Sequence, residues 1–342
     1  MISTIQPSRF LELAAHYPVV DVRSPGEFIQ GHVPGAISIP LFDDAERAIV
    51  GTGYVQSGKD SAILLGLNIA LTKVDFYVQK IHAVAATGNI LVHCWRGGMR
   101  STVMAEVFGK AGFNVEILTS GYKAYRRFIR NGLANPARIV VLGGFTGSGK
   151  TELLHEIALK GEQVIDLEQL ACHKGSVFGA LGQPSQPTNE QFENNLYAQW
   201  EQLDFNRAIW LENESRMIGN ITLPEPVFRH ISNGTLINVE MDSAIRISRL
   251  VKEYAGFDRQ LLTDAVRQIG ERLGGSRLKE ALNALENGRF MEVSTIVLAY
   301  YDKAYLFSLE RRQNKNVQRI EISGQPPGAT AAKIIKFANK HI

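Results

Sequence analysis

Two short stretches of the chain combine residue types that can do chemistry. The first is Val92-His93-Cys94-Trp95-Arg96-Gly97-Gly98-Met99-Arg100-Ser101. Residues 90–92 read as a buried strand, the glycine pair allows a tight loop, and residues 102–109 read as a helix. Cys94 thus falls where a strand hands over to a loop that opens on a helix N-terminus. Backbone N–H groups converge around such a loop, and the helix dipole adds partial positive charge. Arg96 and Arg100 bring two permanent cations. That setting favours a reactive thiolate and cradles a tetrahedral anion or a transferred sulfur or selenium atom. Cys94, Arg96, Gly97, Gly98 and Arg100 form the candidate catalytic set. The competing reading is a half-buried structural cysteine, against which the two arginines and two glycines weigh.

The second stretch is Gly144-Phe145-Thr146-Gly147-Ser148-Gly149-Lys150-Thr151. It has the spacing G-x-x-x-x-G-K-T and lies between a predicted strand at 138–142 and a predicted helix at 152–159, the context of a P-loop. Its N–H groups wrap a diphosphate, Lys150 neutralises it, and the Thr151 hydroxyl is a candidate ligand for Mg²⁺. Gly144, Gly147, Ser148, Gly149, Lys150 and Thr151 are therefore the expected phosphate-binding residues. Downstream, residues 163–168 read as a strand ending in Asp166 and Glu168, and residues 208–216 as another. Glu212 on the latter lies where a Walker-B carboxylate would, although acids at strand ends are often only solvated. Between these strands the polar loop His173-Lys174-Gly175-Ser176-Val177-Phe178-Gly179 could close over a ligand or be an ordinary connection. Cys172 lacks a cradle of arginine and glycine and reads as packing.

The elements that must position these stretches follow an alternating order. Val19-Val20-Asp21-Val22-Arg23 is a short buried strand, and Ala36–Ile39 a second after the turn Gly31-His32-Val33-Pro34-Gly35. Residues 44–88 look mainly helical; residues 115–118 form another strand, followed by a helix at 123–130. Strands alternating with helices imply a parallel sheet covered on both faces. Asn135-Pro136 marks a linker, so the expected domains are 1–132 and 137–342, the latter helical from about residue 243. A chain of 342 residues is too long for one ordinary core. Two cysteines rule out a disulfide framework and fit a reducing cytosol. No signal peptide and no bilayer-spanning run is apparent, so a cytoplasmic protein without a membrane partner is expected. With a net charge of +3, any nucleic-acid surface must be a local patch. Arg126, Arg127, Arg130, Arg246, Arg249, Arg311 and Arg312 are the candidates, although charge pattern alone also fits a solvated helical surface.

The motifs Asp21-Val22-Arg23, Glu27-Phe28, Gly31-His32-Val33-Pro34-Gly35-Ala36 and the cysteine loop resemble a rhodanese domain, whose cysteine carries a persulfide. The loop departs from common single-domain rhodaneses: five residues, not four, separate Cys94 from Arg100. This is also the spacing of protein tyrosine phosphatases, and it suits a larger oxyanion such as phosphate or selenophosphate. A rhodanese domain fused to a P-loop domain is similar to the tRNA 2-selenouridine synthase family. The resemblance rests on residues 94–101, 144–151, 173–176, Glu212-Asn213-Glu214-Ser215-Arg216 and Arg272-Leu273-Gly274-Gly275. Lys174 stands where that family usually has arginine, which keeps the charge and loses the bidentate fork.

The resemblance implies an α/β fold, with a rhodanese-like parallel sheet followed by a P-loop NTPase-like domain and a helical C-terminal subdomain. It implies a transferase acting on tRNA with 5-methylaminomethyl-2-thiouridine at the wobble position. Geranyl diphosphate would first S-alkylate the base, and selenophosphate would then deliver selenium. His173, Lys174, Ser176 and Glu212 would join the P-loop residues around the co-substrate, with Mg²⁺ on Thr151, and a selenophosphate supplier would be a partner. A Cys-x₅-Arg phosphatase, or a sulfurtransferase with a regulatory NTPase domain, is the alternative.

Overall fold

The computed structural model describes residues 1–342 apart from 86, 87, 313, 323, 324 and 342. The chain forms two compact units: residues 1–132 with 193–198, and residues 133–192 with 199–342. The first unit ends its main segment at residue 132 and takes in the short segment 193–198 as well.

The first unit runs β1 (Ile2–Ile5), α1 (Pro7–Ala14), β2 (Val19–Asp21), α2 (Pro25–Gln30), β3 (Ile37–Ser38), α3 (Asp44–Leu71), α4 (Val74–Val84), β4 (Asn89–His93), α5 (Met99–Lys110), β5 (Asn114–Leu118) and α6 (Gly121–Gly132). Its five strands pair in parallel in the order β1-β5-β4-β2-β3. Val20, Val92, Val115 and Ile117 lie in one buried cluster with Tyr77 and Ile81 of α4 and Met104 and Phe108 of α5. The near-continuous apolar strands are what a sheet buried on both faces requires. Strand β1 was not expected from the sequence. Its first three residues are exposed, so it lacks the buried-strand pattern.

From residue 133 the chain runs β6 (Ile139–Gly144), α7 (Lys150–Leu159), β7 (Gln163–Ile165), α8 (Leu167–Ala171), α9 (Asn189–Trp200, whose residues 193–198 count with the first unit), β8 (Ile209–Glu212), a short antiparallel pair β9 (Met217–Ile218) and β10 (Ile221–Thr222), α10 (Glu225–Asn233), β11 (Thr235–Glu240), α11 (Ser243–Tyr254), α12 (Arg259–Gln268), α13 (Gly270–Leu273), α14 (Gly275–Glu286), α15 (Phe290–Glu310), β12 (Val317–Glu321) and α16 (Pro327–Ala338). The main sheet of the second unit is also parallel, in the order β12-β11-β6-β8-β7. The helical region expected from residue 243 is interrupted by β12, which adds a strand to the edge of the sheet. Of its five residues only Ile320 is buried, so the segment carries too little apolar pattern to read as a strand. No single helix among the described residues is long and apolar enough to cross a membrane.

Candidate functional site

In the first unit β4 ends at His93, and Cys94 opens the loop that leads into α5. The helix starts at Met99, earlier than the sequence suggests, so Arg100 and Ser101 stand in its first turn. The loop is clamped by α6: Tyr122 N–H donates to Cys94 O at 2.9 Å and Lys123 N–H to Trp95 O at 3.0 Å. This approach needs Gly121. A Cβ there would lie 2.4 Å from Cys94 O and from Gly97 N, and its φ is +59°.

Cys94 is buried, with Sγ 3.3 Å from Ser101 Oγ and 3.9 Å from Gly98 O. Ser101 Oγ is also 2.8 Å from Gly98 O, so its hydrogen can be given to the carbonyl or to the sulfur. Arg96 and Gly98 are exposed and Gly97 half-buried. Beneath the loop the fully buried Arg23 bonds Asp21 and Gly31 O, and its guanidinium lies 3.8 Å from the Tyr122 ring centre. Burial pushes the His93 imidazole below its ordinary range despite the nearby Asp21 carboxylate, which leaves it neutral.

Arg100 is not free over the sulfur. Its Nη1 and Nη2 donate to Glu27 at 2.6 and 3.3 Å, and Arg47 Nε approaches the same carboxylate at 3.0 Å. Burial pushes the Glu27 carboxyl up, but Arg100, the Ser24 N–H and Arg47 outweigh it and hold it at about 2. A carboxyl lowered from 4.5 to about 2 stabilises the fold above pH 4.5, and that stabilisation is lost as pH falls towards 2. Unfolding midpoints of Glu27→Gln are therefore expected to fall less steeply than wild type across this window. Parallel curves would show that Glu27 titrates normally.

In the second unit β6 delivers the P-loop and α7 begins at Lys150. Gly149 caps the helix at φ +76°, and a Cβ on it would meet the Arg249 guanidinium at 2.6 Å. Lys150 Nζ donates to Gly144 O at 3.1 Å, and Ser148 Oγ is buried without a partner. The carboxylate at the Thr151 hydroxyl is Glu168 (2.9 Å), not Glu212. Glu212 is fully buried and accepts from Leu167 N–H at 2.7 Å. Burial raises Glu168 despite the opposing Lys150 charge, and burial together with neighbouring Glu168 raises Glu214 to about 8. Among the described residues no group of three or more His, Cys, Asp or Glu side chains is arranged to hold a metal ion.

A cavity of about 1420 Å³ opens from this loop. Gly144, Gly147, Gly149, Lys150, Thr151, Glu168, Lys174, Ser176 and Glu214 reach it; Ser148, His173 and Glu212 do not line it. The rest of its wall is largely apolar and includes Leu250, Leu262, Phe290, Val297, Leu298 and Tyr301. His173 is buried and its Nδ1 accepts from Gly175 N–H, while Lys174 pairs with Glu253 at 2.5 Å.

Several candidate nucleic-acid contacts have other partners. Arg126 is buried and bonded to Glu193 and Asn194. Arg246 is buried, pairs with both Asp302 oxygens and donates to Thr146 O of the P-loop at 3.1 Å. Arg312 is buried on the carbonyls of Ile231 and Gly234. Arg249 packs on the P-loop and pairs with Glu152. Arg130 is exposed but also pairs with Glu193 at 2.9 Å, and Arg127 and Arg311 are exposed.

Residues 137–325 match the family described as tRNA 2-selenouridine synthase AAA domain, and residues 7–128 match the rhodanese-like domain. A tRNA 2-selenouridine synthase of Nitrosomonas europaea is 32% identical, with 87% of this chain aligned to 91% of that protein. One of Shewanella denitrificans is 33% identical, with 87% and 90% covered. A likeness of this extent, over both units and both loops, means that the chain belongs to the tRNA 2-selenouridine synthase family and is an enzyme of tRNA modification.

Proposed function

We propose that the two sites perform successive steps on one base, 5-methylaminomethyl-2-thiouridine at the wobble position of a cytoplasmic tRNA. At the P-loop the thiocarbonyl sulfur attacks the allylic carbon of geranyl diphosphate. The S–C bond forms, the C–O bond breaks with its electron pair leaving on diphosphate, and the N3 proton of the base is released to water. At the Cys94 loop selenium of selenophosphate attacks C2. The C2–S bond breaks, the geranyl thiolate departs and takes a proton from water, and hydrolysis of the Se–P bond releases phosphate.

The observation that carries this reading is the apolar cavity opening from the P-loop. A diphosphate on Lys150 and the loop N–H groups would direct its organic part towards Leu250, Leu262, Phe290 and Val297. Those walls suit a hydrocarbon chain, because burial of apolar surface drives its binding. Thr151 gives its hydrogen to Glu168, which leaves oxygen lone pairs on both side chains. These two would hold Mg²⁺ together with substrate phosphates, the usual arrangement for this ion. The ion would supply positive charge to the diphosphate.

Incubation with 2-thiouridine tRNA and geranyl diphosphate, without selenophosphate, is expected to accumulate S-geranyl-2-thiouridine, read by mass spectrometry of the digested nucleosides. Val297→Trp, which fills the cavity, is expected to raise KM for geranyl diphosphate about tenfold, equivalent to about 1.4 kcal/mol of lost binding. Absence of the S-geranyl nucleoside with wild-type protein would overturn the reading.

A further inference from the structure

The first unit contains a second cavity, of about 440 Å³, which the chemistry at Cys94 leaves unexplained. Its wall is made by the segment 41–70 and the first two turns of α5. Phe42, Val50, Ile63 and Val103 give it an apolar lining, and the guanidinium-bearing Arg47 and Arg100 stand at it. Met99 and Arg100 follow directly on Gly98, whose carbonyl is 3.9 Å from Cys94 Sγ. The cavity thus shares residues with the helix turn that completes the cysteine loop. Helix α3 wraps it by bending at Gly58, where φ is +85° and ψ 178°.

Neither a phosphate nor a selenophosphate needs such a wall. Both are strongly hydrated anions that call for N–H groups and cations, which the loop itself provides. An occupant suited to the cavity has a long apolar part joined to a group that reaches the cysteine loop. Solvent does not satisfy this surface either, since Tyr54, Leu67 and Met99 are left 58%, 36% and 46% exposed around it. A ten-carbon chain, counted at about 30 Å³ per carbon (roughly a water's share of the liquid), needs about 300 Å³. That is within the available volume.

We infer that this cavity binds the geranyl chain of the S-geranylated base while selenium is transferred, and that it accompanies the chain as the thiol leaves. The inference rests on the S-geranyl reading above. It makes the isoprenoid group a recognition element of the second step as well as the leaving group made by the first. Holding the chain fixes the C2–S bond relative to the cysteine loop, so that binding energy remote from the reacting atoms is used for orientation.

The test uses the full-length enzyme, selenophosphate and two prepared tRNAs, one S-geranylated and one S-methylated at the same 2-thiouridine. The two thiolates leave with similar chemistry, so the ratio of their kcat/KM values reports recognition of the chain. Wild type is expected to favour the S-geranyl substrate. Ala62→Phe, which fills the cavity, and Leu67→Asp, which places a charge on its partly exposed wall, are each expected to lower that ratio at least tenfold. A general loss of folding lowers both rates together and leaves the ratio unchanged. An unchanged ratio in both variants, or a wild type indifferent between the two substrates, overturns the inference and leaves the two-step reading intact. A wild type unable to convert the S-geranyl tRNA overturns the reading itself.

Discussion

In Cys94→Ala, 2-selenouridine is expected to disappear while S-geranyl-2-thiouridine accumulates. Cys94 is the buried sulfur at the end of β4, held between the Ser101 hydroxyl and the Gly98 carbonyl. The backbone around it is fixed by the α6 N–H groups on Cys94 O and Trp95 O. An alanine side chain keeps these backbone bonds, so the loop is expected to keep its shape and lose only the thiol. Removing one catalytic side chain from a group that acts in concert costs on the order of 10³-fold or more. The P-loop chemistry uses residues of the other unit and has no need of the thiol. A variant that forms selenouridine at the wild-type rate would show that Cys94 is not the group that handles selenium.

Where candidate residues are contiguous, the strand, loop and helix that carry them were legible before the structure. The G-x-x-x-x-G-K-T spacing fixes a loop whose strand and helix are its immediate neighbours, and the cysteine loop is equally local. The parallel order of both sheets also followed from alternating strands and helices. Long-range partners were not legible. Glu27 lies 73 residues from Arg100, and its motif suggested a rhodanese turn without indicating an ion pair. The acid at Thr151 was open because strand β7 ends at Ile165 rather than running on to Glu168. Asp166 then caps α8 by accepting from Gln169 N–H, and the short helix turns Glu168 onto Thr151. Glu212 continues β8 into the interior instead.

The arginines show the same limit from the other side. Arg126, Arg246 and Arg312 look alike in sequence to exposed cations, and their acceptors decide otherwise. For Arg246 these are Asp302, 56 residues away, and the carbonyl of Thr146. A buried arginine so paired holds the P-loop backbone rather than a phosphodiester. The apolar cavity also escaped sequence reading, since its wall gathers side chains from α11, α12, α14 and α15. An apolar stripe on any one of those helices is indistinguishable from ordinary core.

Lys150→Ala is expected to stop S-geranylation and leave selenium transfer to an already geranylated tRNA intact. Lys150 Nζ rests on Gly144 O across the mouth of the P-loop, at the cavity. As the allylic C–O bond breaks, negative charge grows on the departing diphosphate, and the lysine ammonium is placed to take it. Loss of one donor to a developing anion typically costs about 10²–10³ in rate. The same residue discriminates between the readings of the P-loop. In a nucleotidase, Lys150→Ala would abolish ATP or GTP turnover and spare prenyl chemistry. In the two-step enzyme it spares only the second step, because that step relies on the Cys94 loop of the other unit. Wild-type protein is accordingly expected to hydrolyse little ATP or GTP. Supplying S-geranyl tRNA and selenophosphate to Lys150→Ala is expected to give 2-selenouridine at close to the wild-type rate, measured by nucleoside mass spectrometry. Brisk nucleotide turnover lost in the variant, together with normal geranylation, would assign the loop to a nucleotide and not to a prenyl diphosphate.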